Sequence, residues 1–335
     1  MKIAVVGAGA IGGLLAARLA QSSHQVSVIA RGANLRAIQA NGLCLETSSG
    51  ESLRSAVKAS DRPEDLGLQD LVFLTMKAHQ LWEMAPTLKP LFDNQTLIIT
   101  MQNGVPWWYF EKNSGPYLGM TLQTVDPDGR IRQHLPIDQI LGAVVYPAAE
   151  LAQPGVVRLI EGNRFSIGEI DGVDSDRSRS LCKMLIESGF KAPISRDIRS
   201  EIWVKLWGNA TFNPVSALTH STLVQICDNR IARELIYQLM SEAQVIGEAL
   251  GINFKLTIDR RIDGAASVGQ HKTSMLQDVE AGRPLELNAL LGALVELAHI
   301  TAKPAPRLEA IYACVQLLQQ QLKEQAGHLR IRSNL

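Results

Sequence analysis

Short apolar runs alternate with segments of helical spacing along the first half of the chain. Four runs are largely apolar and strand-like: Ile3–Val6, Val26–Ile29, Leu71–Met76 and Thr96–Met101. A segment of helical spacing, Ile11–Ala20, follows the first of them. Because continuous apolar strands that alternate with helices form parallel sheets covered on both faces, the pattern predicts an α/β fold with a doubly wound sheet.

Turn signals interrupt this alternation between residues 106 and 168. The run Asp126–Gly129 (Asp-Pro-Asp-Gly) is typical of a tight turn, and we expect a strand on each side of it. Glu161–Asn163 separates Val156–Ile160 from Arg164–Ile167, which predicts a hairpin. We therefore expect antiparallel strands to extend the sheet.

The second half of the chain has an almost purely helical pattern. Apolar positions recur at helical spacing in Arg199–Asn213, Asn229–Leu250, His271–Glu280, Glu286–His299 and Arg307–Glu324. The change of pattern predicts a mixed domain at residues 1–195 and an all-α domain at residues 196–335. The basic end of the chain, with His328, Arg330 and Arg332, is typical of a frayed tail.

Composition and charge exclude several classes of protein. The 335 residues include 33 basic and 33 acidic ones, so a net charge of zero gives no basis for binding nucleic acid or an anionic membrane. No apolar run approaches the roughly 18–20 residues of a transmembrane helix, and glycines interrupt the apolar N-terminus, which argues against a signal peptide. The scattered cysteines, Cys44, Cys182, Cys227 and Cys314, predict no metal site and favour a reducing, cytoplasmic location.

A glycine-rich turn follows the first predicted strand. It has the form GxGxxG and comprises Gly7, Ala8, Gly9, Ala10, Ile11 and Gly12. The first glycine permits the tight turn, the second lets a pyrophosphate approach the backbone, and the third lets the helix pack closely on the strand. A strand before the turn and a helix after it are the context of a Rossmann-type dinucleotide site, whereas a turn without ligand is the simpler alternative.

Three more polar residues follow predicted strands. Arg31 lies where an NAD site has an acid that binds the ribose, and its planar guanidinium suits the 2′-phosphate of NADP(H). Lys77 follows the next strand and suits the adenosine phosphate, and Asn103 follows the one after it and suits the nicotinamide side. Each alone is compatible with an ordinary surface or turn residue. Their shared position beyond strand ends, where open α/β sheets bind ligands, favours a cofactor site for NADP(H).

A narrow polar stripe crosses an apolar helix in the second half. Lys205, Asn209 and Asn213 are spaced four residues apart, so that they share one helix face among large apolar residues. A buried amine and two amides require partners, which a polar ligand supplies, and a solvent-facing stripe is the alternative. Pro214 disfavours helical geometry at Asn213, and we expect the helix to break or bend there.

Two polar residues lie further along, at Ser274 and Glu286. Glu286 stands between leucines just after a proline, near a predicted helix start. It either favours the helix dipole or orients a catalytic group, and the pattern alone leaves both open.

These motifs together resemble the ketopantoate reductase (2-dehydropantoate 2-reductase) family over nearly the whole chain. They are Gly7–Gly13, Lys77 in Met-Lys-Ala, Gln102–Gly104, Trp203–Asn209 with Asn213–Pro214, and Ser274–Asp278 with Gly282–Arg283. The resemblance implies NADPH-dependent reduction of 2-dehydropantoate to (R)-pantoate, toward pantothenate and coenzyme A. It also implies a Rossmann domain followed by an all-α domain, the two-domain architecture of 6-phosphogluconate dehydrogenase, with the site in the cleft between them.

The resemblance further assigns roles to residues. Lys205 corresponds to the catalytic lysine, which as an ammonium donates a proton to the carbonyl oxygen, and Glu286 orients the lysine or accepts a substrate hydroxyl. Asn103, Asn209, Asn213 and Ser274 match substrate positions. The two asparagines of the stripe suit a hydroxyl group, and Ser274 suits the carboxylate.

The chain departs from the family pattern at two places. An aromatic cluster, Trp107–Phe110, follows Asn103-Gly104, and Leu285 stands where the family often has threonine. The cluster either reshapes the substrate pocket or packs the base of the predicted 126–129 turn. A reductase of another 2-oxo acid is therefore an alternative. A non-catalytic NADP(H) sensor is a second alternative. The presence of all four polar residues, Lys205, Asn209, Asn213 and Glu286, argues against it. The apolar helices are compatible with a homodimer interface.

Overall fold

The computed structural model describes residues 1–47 and 49–327. The chain divides into two compact units, Met1–Ile198 and Arg199–Leu335. The predicted frayed tail, with His328, Arg330 and Arg332, lies outside the described residues. Within the described residues, no helix combines the length and the apolarity needed to cross a membrane.

The first unit is an α/β domain with two sheets. Its strands are β1 (Lys2–Val6), β2 (Gln25–Ile29), β3 (Leu43–Glu46), β4 (Ser52–Ser55), β5 (Lys58–Ser60), β6 (Leu71–Leu74), β7 (Leu97–Thr100), β8 (Ile140–Val145), β9 (Ala148–Gln153), β10 (Val156–Glu161) and β11 (Phe165–Glu169). Its α-helices are α1 (Ala10–Leu19), α2 (Gly32–Asn41), α3 (Ala78–Met84), α4 (Arg130–His134) and α5 (Asp176–Glu187). The described residues form a seven-stranded sheet, β11-β8-β7-β6-β1-β2-β5, and a four-stranded sheet, β4-β3-β10-β9. The predicted Rossmann-type domain is confirmed.

Four neighbouring strands of the larger sheet, β7, β6, β1 and β2, run parallel and end at the same edge. Val6 at the end of β1 pairs with Ile29 and with Leu74, and Leu74 pairs with Thr100. The strands are buried in continuous runs, as expected for a sheet with both faces covered. The segments that follow these strands therefore emerge together at the carboxyl edge, where open α/β sheets bind ligands.

The hairpin predicted around Glu161–Asn163 is wrong. β10 lies in the smaller sheet, parallel to β3 and antiparallel to β9, whereas β11 lies in the larger sheet, antiparallel to β8. The turn itself is present, since Gly162 has a φ of +75°, but it carries the chain from one sheet to the other. The expected antiparallel strands exist as the β8–β11 and β9–β10 pairs.

The turn at Asp126–Gly129 does not join two strands, contrary to the prediction. It leads into the short helix α4, and the buried carboxylate of Asp126 accepts hydrogen bonds from the backbone N–H groups of Ile131 (2.7 Å) and Arg132 (3.0 Å). Burial raises the pKa of Asp126. Aspartate accepts backbone hydrogen bonds at helix starts as readily as it initiates turns, so the local sequence did not distinguish the two.

The second unit is helical, as predicted. Its α-helices are α6 (Ile198–Thr219, which begins at the boundary between the units), α7 (Leu223–Asp228), α8 (Arg230–Ala249), α9 (Ile258–Ser267), α10 (Ser274–Glu280), α11 (Ala293–Ile300) and α12 (Pro306–Glu324). A π-helical turn, Asn288–Gly292, leads into α11. The break expected at Pro214 is wrong, because α6 continues through it to Thr219. Phe212 and Val215 on either side are buried, and such packing offsets the hydrogen bond that proline cannot make.

Candidate active site

The glycine turn connects β1 to α1 at the carboxyl edge of the larger sheet. Gly7 has a φ of +104°, and an added Cβ would lie 2.7 Å from the backbone nitrogen of Met76. A Cβ at Gly12 would overlap the carbonyl oxygen of Gly7 and the hydroxyl of Thr75. Gly7 therefore requires glycine for the tight turn, and Gly12 requires it for the close approach of α1 to the strands, as the sequence predicts.

Gly9 has a different environment from the other two glycines. A Cβ built on Gly9 meets no atom within 4 Å, so that the protein's own packing does not require glycine there. Gly9 is the N-cap of α1 and provides no capping side chain. The first N–H groups of a helix lack intrahelical partners and attract anions. Open space at this point fits the pyrophosphate of a dinucleotide, and the residues present therefore fit such a cofactor.

The side chain of Asn34, in α2, stabilises the glycine turn through hydrogen bonds. Its Nδ2 donates a hydrogen bond to the carbonyl oxygen of Ala8 (2.6 Å), and its Oδ1 accepts one from the N–H of Gly155 (2.8 Å). The sequence pattern does not predict this role of Asn34, because a single asparagine within a helix carries no local signal. The amide links the turn to the connection between β9 and β10.

Two further side chains cross-link the strand ends. Thr75 Oγ1 donates to the carbonyl oxygens of Val6 (3.0 Å) and Gly7 (2.8 Å). Gln102 Nε2 donates to the carbonyl oxygens of Leu74 (2.8 Å) and Met76 (3.2 Å). The carboxyl edge is thus held by side chains as well as by strand pairing. Gln102 is part of a motif that resembles the ketopantoate reductase family, whereas no sequence motif indicates this role of Thr75.

Arg31, Lys77 and Asn103 all follow strands that end at this edge. Arg31 is exposed, caps the start of α2 in an extended conformation, and its Nη2 contacts the sulfur of Met84, the last residue of α3. Lys77 is half-buried at the N-cap of α3, where its backbone N–H donates to Gln80 Oε1 (3.1 Å). Asn103 is half-buried beyond β7. The two basic residues therefore flank α3, one at each end.

In the second unit, α6 carries the predicted polar stripe. Lys205 and Asn209 are half-buried, and Asn213 is buried. The neighbouring Trp203 and Trp207 are fully buried, and Trp207 Nε1 donates to the carbonyl oxygen of Met240 (2.7 Å), which anchors α6 to α8. The three polar residues thus lie on a helix whose neighbouring residues are apolar and buried.

Lys205 is the ionisable member of the stripe. Burial lowers the pKa of Lys205 from 10.5 to about 8, and the carboxylate of Glu286 acts in the opposite direction. Desolvation disfavours the ammonium, and a nearby negative charge restores part of its stability. Two residues that lie far apart in the sequence are thus electrostatically coupled.

Ser274 and Glu286 both interact with residues of this stripe. Asn213 Nδ2 donates a hydrogen bond to Ser274 Oγ at 3.5 Å, the outer limit for such a contact. Ser274 is the first residue of α10 and is exposed. Glu286 is half-buried and precedes the π-helical turn Asn288–Gly292, a feature common at functional sites.

An ion pair between the exposed Arg283 and the buried Asp278 precedes Glu286 in the chain. Arg283 Nε donates to Asp278 Oδ1 (2.9 Å), and the backbone N–H of Arg283 donates to the carbonyl oxygen of Asp278 (2.8 Å). Asp278 is buried at the end of α10. These two hydrogen bonds hold a turn at the end of α10, shortly before Glu286.

The aromatic cluster Trp107–Phe110 is buried throughout, with at most 4% of any of its side chains exposed. Trp108 Nε1 donates to Thr100 Oγ1 (2.8 Å), and the rings of Tyr109 and Phe110 contact edge to face with centroids 5.1 Å apart. The 126–129 segment is not a strand hairpin. The hypothesis that the cluster packs the base of such a hairpin is therefore wrong in that form.

A dinucleotide-type glycine turn and a desolvated lysine coupled to an acid are features of NAD(P)-dependent oxidoreductases. Comparison with known proteins narrows this class. The family model described as "Ketopantoate reductase PanE/ApbA" matches residues 3–172, and that described as "Ketopantoate reductase PanE/ApbA C terminal" matches residues 197–319. The chain belongs to the ketopantoate reductase family, and the resemblance seen in its motifs is confirmed.

Individual relatives agree with the family. A 2-dehydropantoate 2-reductase of Mesorhizobium japonicum is 50% identical over 95% of this chain and 98% of the relative. A crystal structure from Ralstonia solanacearum MolK2, described as a candidate ketopantoate reductase, has a TM-score of 0.91 at 38% identity over 96% of this chain and 98% of that chain. D-Mandelate dehydrogenase with NADH and anilino(oxo)acetate has a TM-score of 0.83 at 21% identity, over 96% of this chain and 100% of that chain, and is similar in fold alone.

Proposed function

We propose that this protein reduces 2-dehydropantoate to (R)-pantoate with NADPH, a step toward pantothenate and coenzyme A. The observation that carries the proposal is the desolvated Lys205 on α6, whose pKa is lowered by burial and raised by Glu286. The 50% identity to the Mesorhizobium japonicum enzyme over nearly the full chain supports the substrate. The substrate and the chemistry of the lysine thus have independent support.

NADPH, rather than NADH, is favoured by the basic residues around α3. Arg31 follows β2, where NAD-binding sites have an acid that would repel a 2′-phosphate. Its guanidinium offers two parallel hydrogen bonds to such a phosphate, and Lys77 adds a second positive charge at a neighbouring strand end. Gly9 and the first N–H groups of α1 would hold the pyrophosphate.

Lys205 acts as the proton donor in this proposal. The nicotinamide, when bound, supplies the hydride that C2 of the oxo acid receives. Lys205 Nζ donates a hydrogen bond to the carbonyl oxygen, stabilises the negative charge that develops there, and transfers its proton to complete the hydroxyl. A pKa of about 8 leaves the amine mostly protonated at neutral pH and makes it a better acid than an ordinary lysine.

The other polar residues position the substrate. Asn209 and Asn213 suit the hydroxyl of the hydroxymethyl group, because an amide side chain both donates and accepts hydrogen bonds. Ser274, in contact with Asn213, suits the carboxylate. Glu286 keeps Lys205 charged and orients it, and Asn103 lies at the carboxyl edge that would hold the nicotinamide.

Oxidation of NADPH at 340 nm in the presence of 2-dehydropantoate tests the proposal, run beside NADH and several other 2-oxo acids. We expect fast turnover with NADPH and weak turnover with NADH. Turnover with NADH as fast as with NADPH would overturn the role of Arg31. Tight binding of NADPH without turnover of any 2-oxo acid would instead make the protein a sensor of the cofactor.

A reductase of a different 2-oxo acid is the second candidate, favoured by the Trp107–Phe110 cluster and by Leu285. Four large aromatic side chains follow Asn103-Gly104, and Leu285 precedes the acid that is coupled to the lysine. A marked preference for another 2-oxo acid in the same panel would establish this candidate. Lys205 would retain its role, because every 2-oxo acid presents the same carbonyl group.

The location, the partners and the oligomeric state that we propose rest on separate observations. All four cysteines are unpaired, which accords with the cytoplasmic location that we propose. Nucleic acid has no part in the proposed function. A homodimer stays a prediction from the apolar helices of the second unit.

A further inference from the structure

Trp107 has a buried indole N–H with no acceptor. Its side chain is only 4% exposed, and Nε1 has no hydrogen-bond partner in the part of the chain that the structure describes. Other tryptophans contrast with it: Nε1 of Trp82 donates to the carbonyl oxygen of Pro127 (3.1 Å), and Nε1 of Trp108 donates to Thr100 Oγ1 (2.8 Å). The lack of an acceptor is therefore specific to Trp107 and is not shared by Trp82 and Trp108.

A buried donor without an acceptor is costly, because it gives up its hydrogen bond to water and gains nothing in return. Such groups are rare in folded proteins, and each calls for a specific reason. A phenylalanine would fill much of the same apolar space without this penalty. The indole nitrogen therefore points to an acceptor that is present only when a ligand is bound.

The location of Trp107 indicates which ligand this is. The residue lies four positions after Asn103, in the segment that leaves the carboxyl end of β7. Gly104 has a φ of +88°, and the N–H of Tyr109 donates to the carbonyl oxygen of Pro106 (3.0 Å), so that Trp107 is held within a tight turn. The pyrophosphate position at Gly9 belongs to a different strand end. The β7 end is where Asn103 is expected at the reacting side of the cofactor.

We propose that Trp107 Nε1–H donates a hydrogen bond to the carboxylate of the 2-oxo acid substrate. The inference rests on the proposed function, since it assigns one more contact to the same substrate. An indole N–H is only a donor, and a carboxylate is only an acceptor, so the two are complementary. The hydroxyl of the substrate instead needs groups that both donate and accept, such as Asn209 and Asn213.

The test compares Trp107→Phe with the matched variant Trp108→Phe. For each variant, kcat and KM are measured for 2-dehydropantoate and for a panel of 2-oxo acids with different side chains. The Kd for NADPH and the melting temperature are measured in parallel. In Trp107→Phe we expect KM to rise about 10- to 100-fold for every acid in the panel, the scale of a hydrogen bond to a charged group. We expect kcat and the Kd for NADPH to stay close to those of the wild type, and the melting temperature to fall less than in Trp108→Phe.

Trp108→Phe is expected to behave in the opposite way. It loses a hydrogen bond that the folded protein already makes, so its melting temperature falls while KM changes little. A lower melting temperature with unchanged KM in Trp107→Phe would overturn the proposal, because the residue would then act in packing alone. A change confined to the Kd for NADPH, or a loss of unequal size across the acids, would also overturn it.

A measurement on the unmodified protein covers the case in which Trp107→Phe does not fold. The indole N–H signals of the five tryptophans are followed by nitrogen-15 NMR in the complex with NADP⁺ and after addition of 2-dehydropantoate, a pair that cannot react. We expect the Trp107 signal, assigned in the wild-type protein by sequential NMR assignment, to move downfield when the acid is added. An unmoved signal would refute the contact. If the wild type fails with 2-dehydropantoate but reduces another acid, the same comparison with that acid separates this inference from the proposed substrate.

Discussion

At the scale of single residues, the environment of Lys205 determines its chemistry. The side chain lies on α6 beside the fully buried Trp203 and Trp207. Burial lowers its pKa to about 8, and the charge of Glu286 limits the decrease. An amine with this pKa is protonated at neutral pH yet releases its proton more readily than an exposed lysine. Burial and a nearby acid thus bring the pKa of this lysine into the range that the proposed proton donor needs.

Replacing Lys205 tests its role as proton donor. We expect Lys205→Ala to lower kcat by about 10²–10⁴, the usual contribution of a positioned acid, while the Kd for NADPH changes little. Steady-state kinetics and cofactor titration measure the two quantities. Lys183→Ala is the matched control, because this lysine is 78% exposed on α5 and should leave both unchanged. Near wild-type turnover in Lys205→Ala would refute the assignment.

The pKa of Lys205 predicts how the reduction depends on pH. The ammonium is the active form, so kcat/KM should be level below pH 8 and fall about tenfold per unit above it. Because the carboxylate of Glu286 raises the pKa of Lys205, Glu286→Gln should move this decline to lower pH. A pH profile of both proteins measures the shift. An alkaline limb that stays in place in Glu286→Gln would show that the two groups are not coupled.

At the scale of elements, the glycines between β1 and α1 serve different purposes. Gly12 lets the helix approach the strand, since a Cβ there would overlap the Gly7 carbonyl oxygen. Gly9 borders open space, so the packing of the protein itself does not require glycine there. The same motif therefore contains one position that the protein needs for folding and one at which we propose that the cofactor binds.

Alanine at these two positions should separate folding from binding. We expect Gly9→Ala to keep the wild-type melting temperature but to raise the Kd for NADPH by about tenfold or more, because the Cβ occupies pyrophosphate space. Gly12→Ala should destabilise the protein by about 1–3 kcal/mol through overpacking. Thermal unfolding and fluorescence titration measure the pair. Equal losses of stability in both variants would contradict this division.

At the scale of the whole molecule, both sheets of the first unit hold the glycine turn in place. A Cβ at Gly13 would run into Val157 of β10, so α1 packs directly on the smaller sheet. Asn34 links the carbonyl of Ala8 to the N–H of Gly155 between β9 and β10. The position of the turn therefore depends on strands that come more than a hundred residues later in the chain.

A ligand held by such a scaffold should stabilise the folded state by mass action. We expect NADPH at about 100 times its Kd to add about 2.7 kcal/mol to the free energy of unfolding. NADH at the same concentration should add less. Arg31→Ala should reduce the melting-temperature shift with NADPH but not with NADH, whereas Arg54→Ala, at an exposed position of β4, should change neither. Equal shifts with both cofactors in the wild type would contradict phosphate recognition by Arg31.

Features that depend on neighbours in the chain were determined by the sequence alone. Continuous apolar runs indicated β1, β2, β6 and β7, and the spacing of Lys205, Asn209 and Asn213 indicated one helix face. The glycine turn could be located because backbone conformation and steric space act within a few residues.

Features that depend on distant partners were decided only by the tertiary structure. The turn at Gly162 was visible, but the sheets that receive β10 and β11 depend on strands far away in the chain. Helix α6 passes through Pro214, because burial within the unit outweighs local preference. The anchoring role of Asn34, the lowered pKa of Lys205 and the unpaired indole of Trp107 have the same origin. Each depends on hydrogen bonding and burial among groups that only the folded chain brings together.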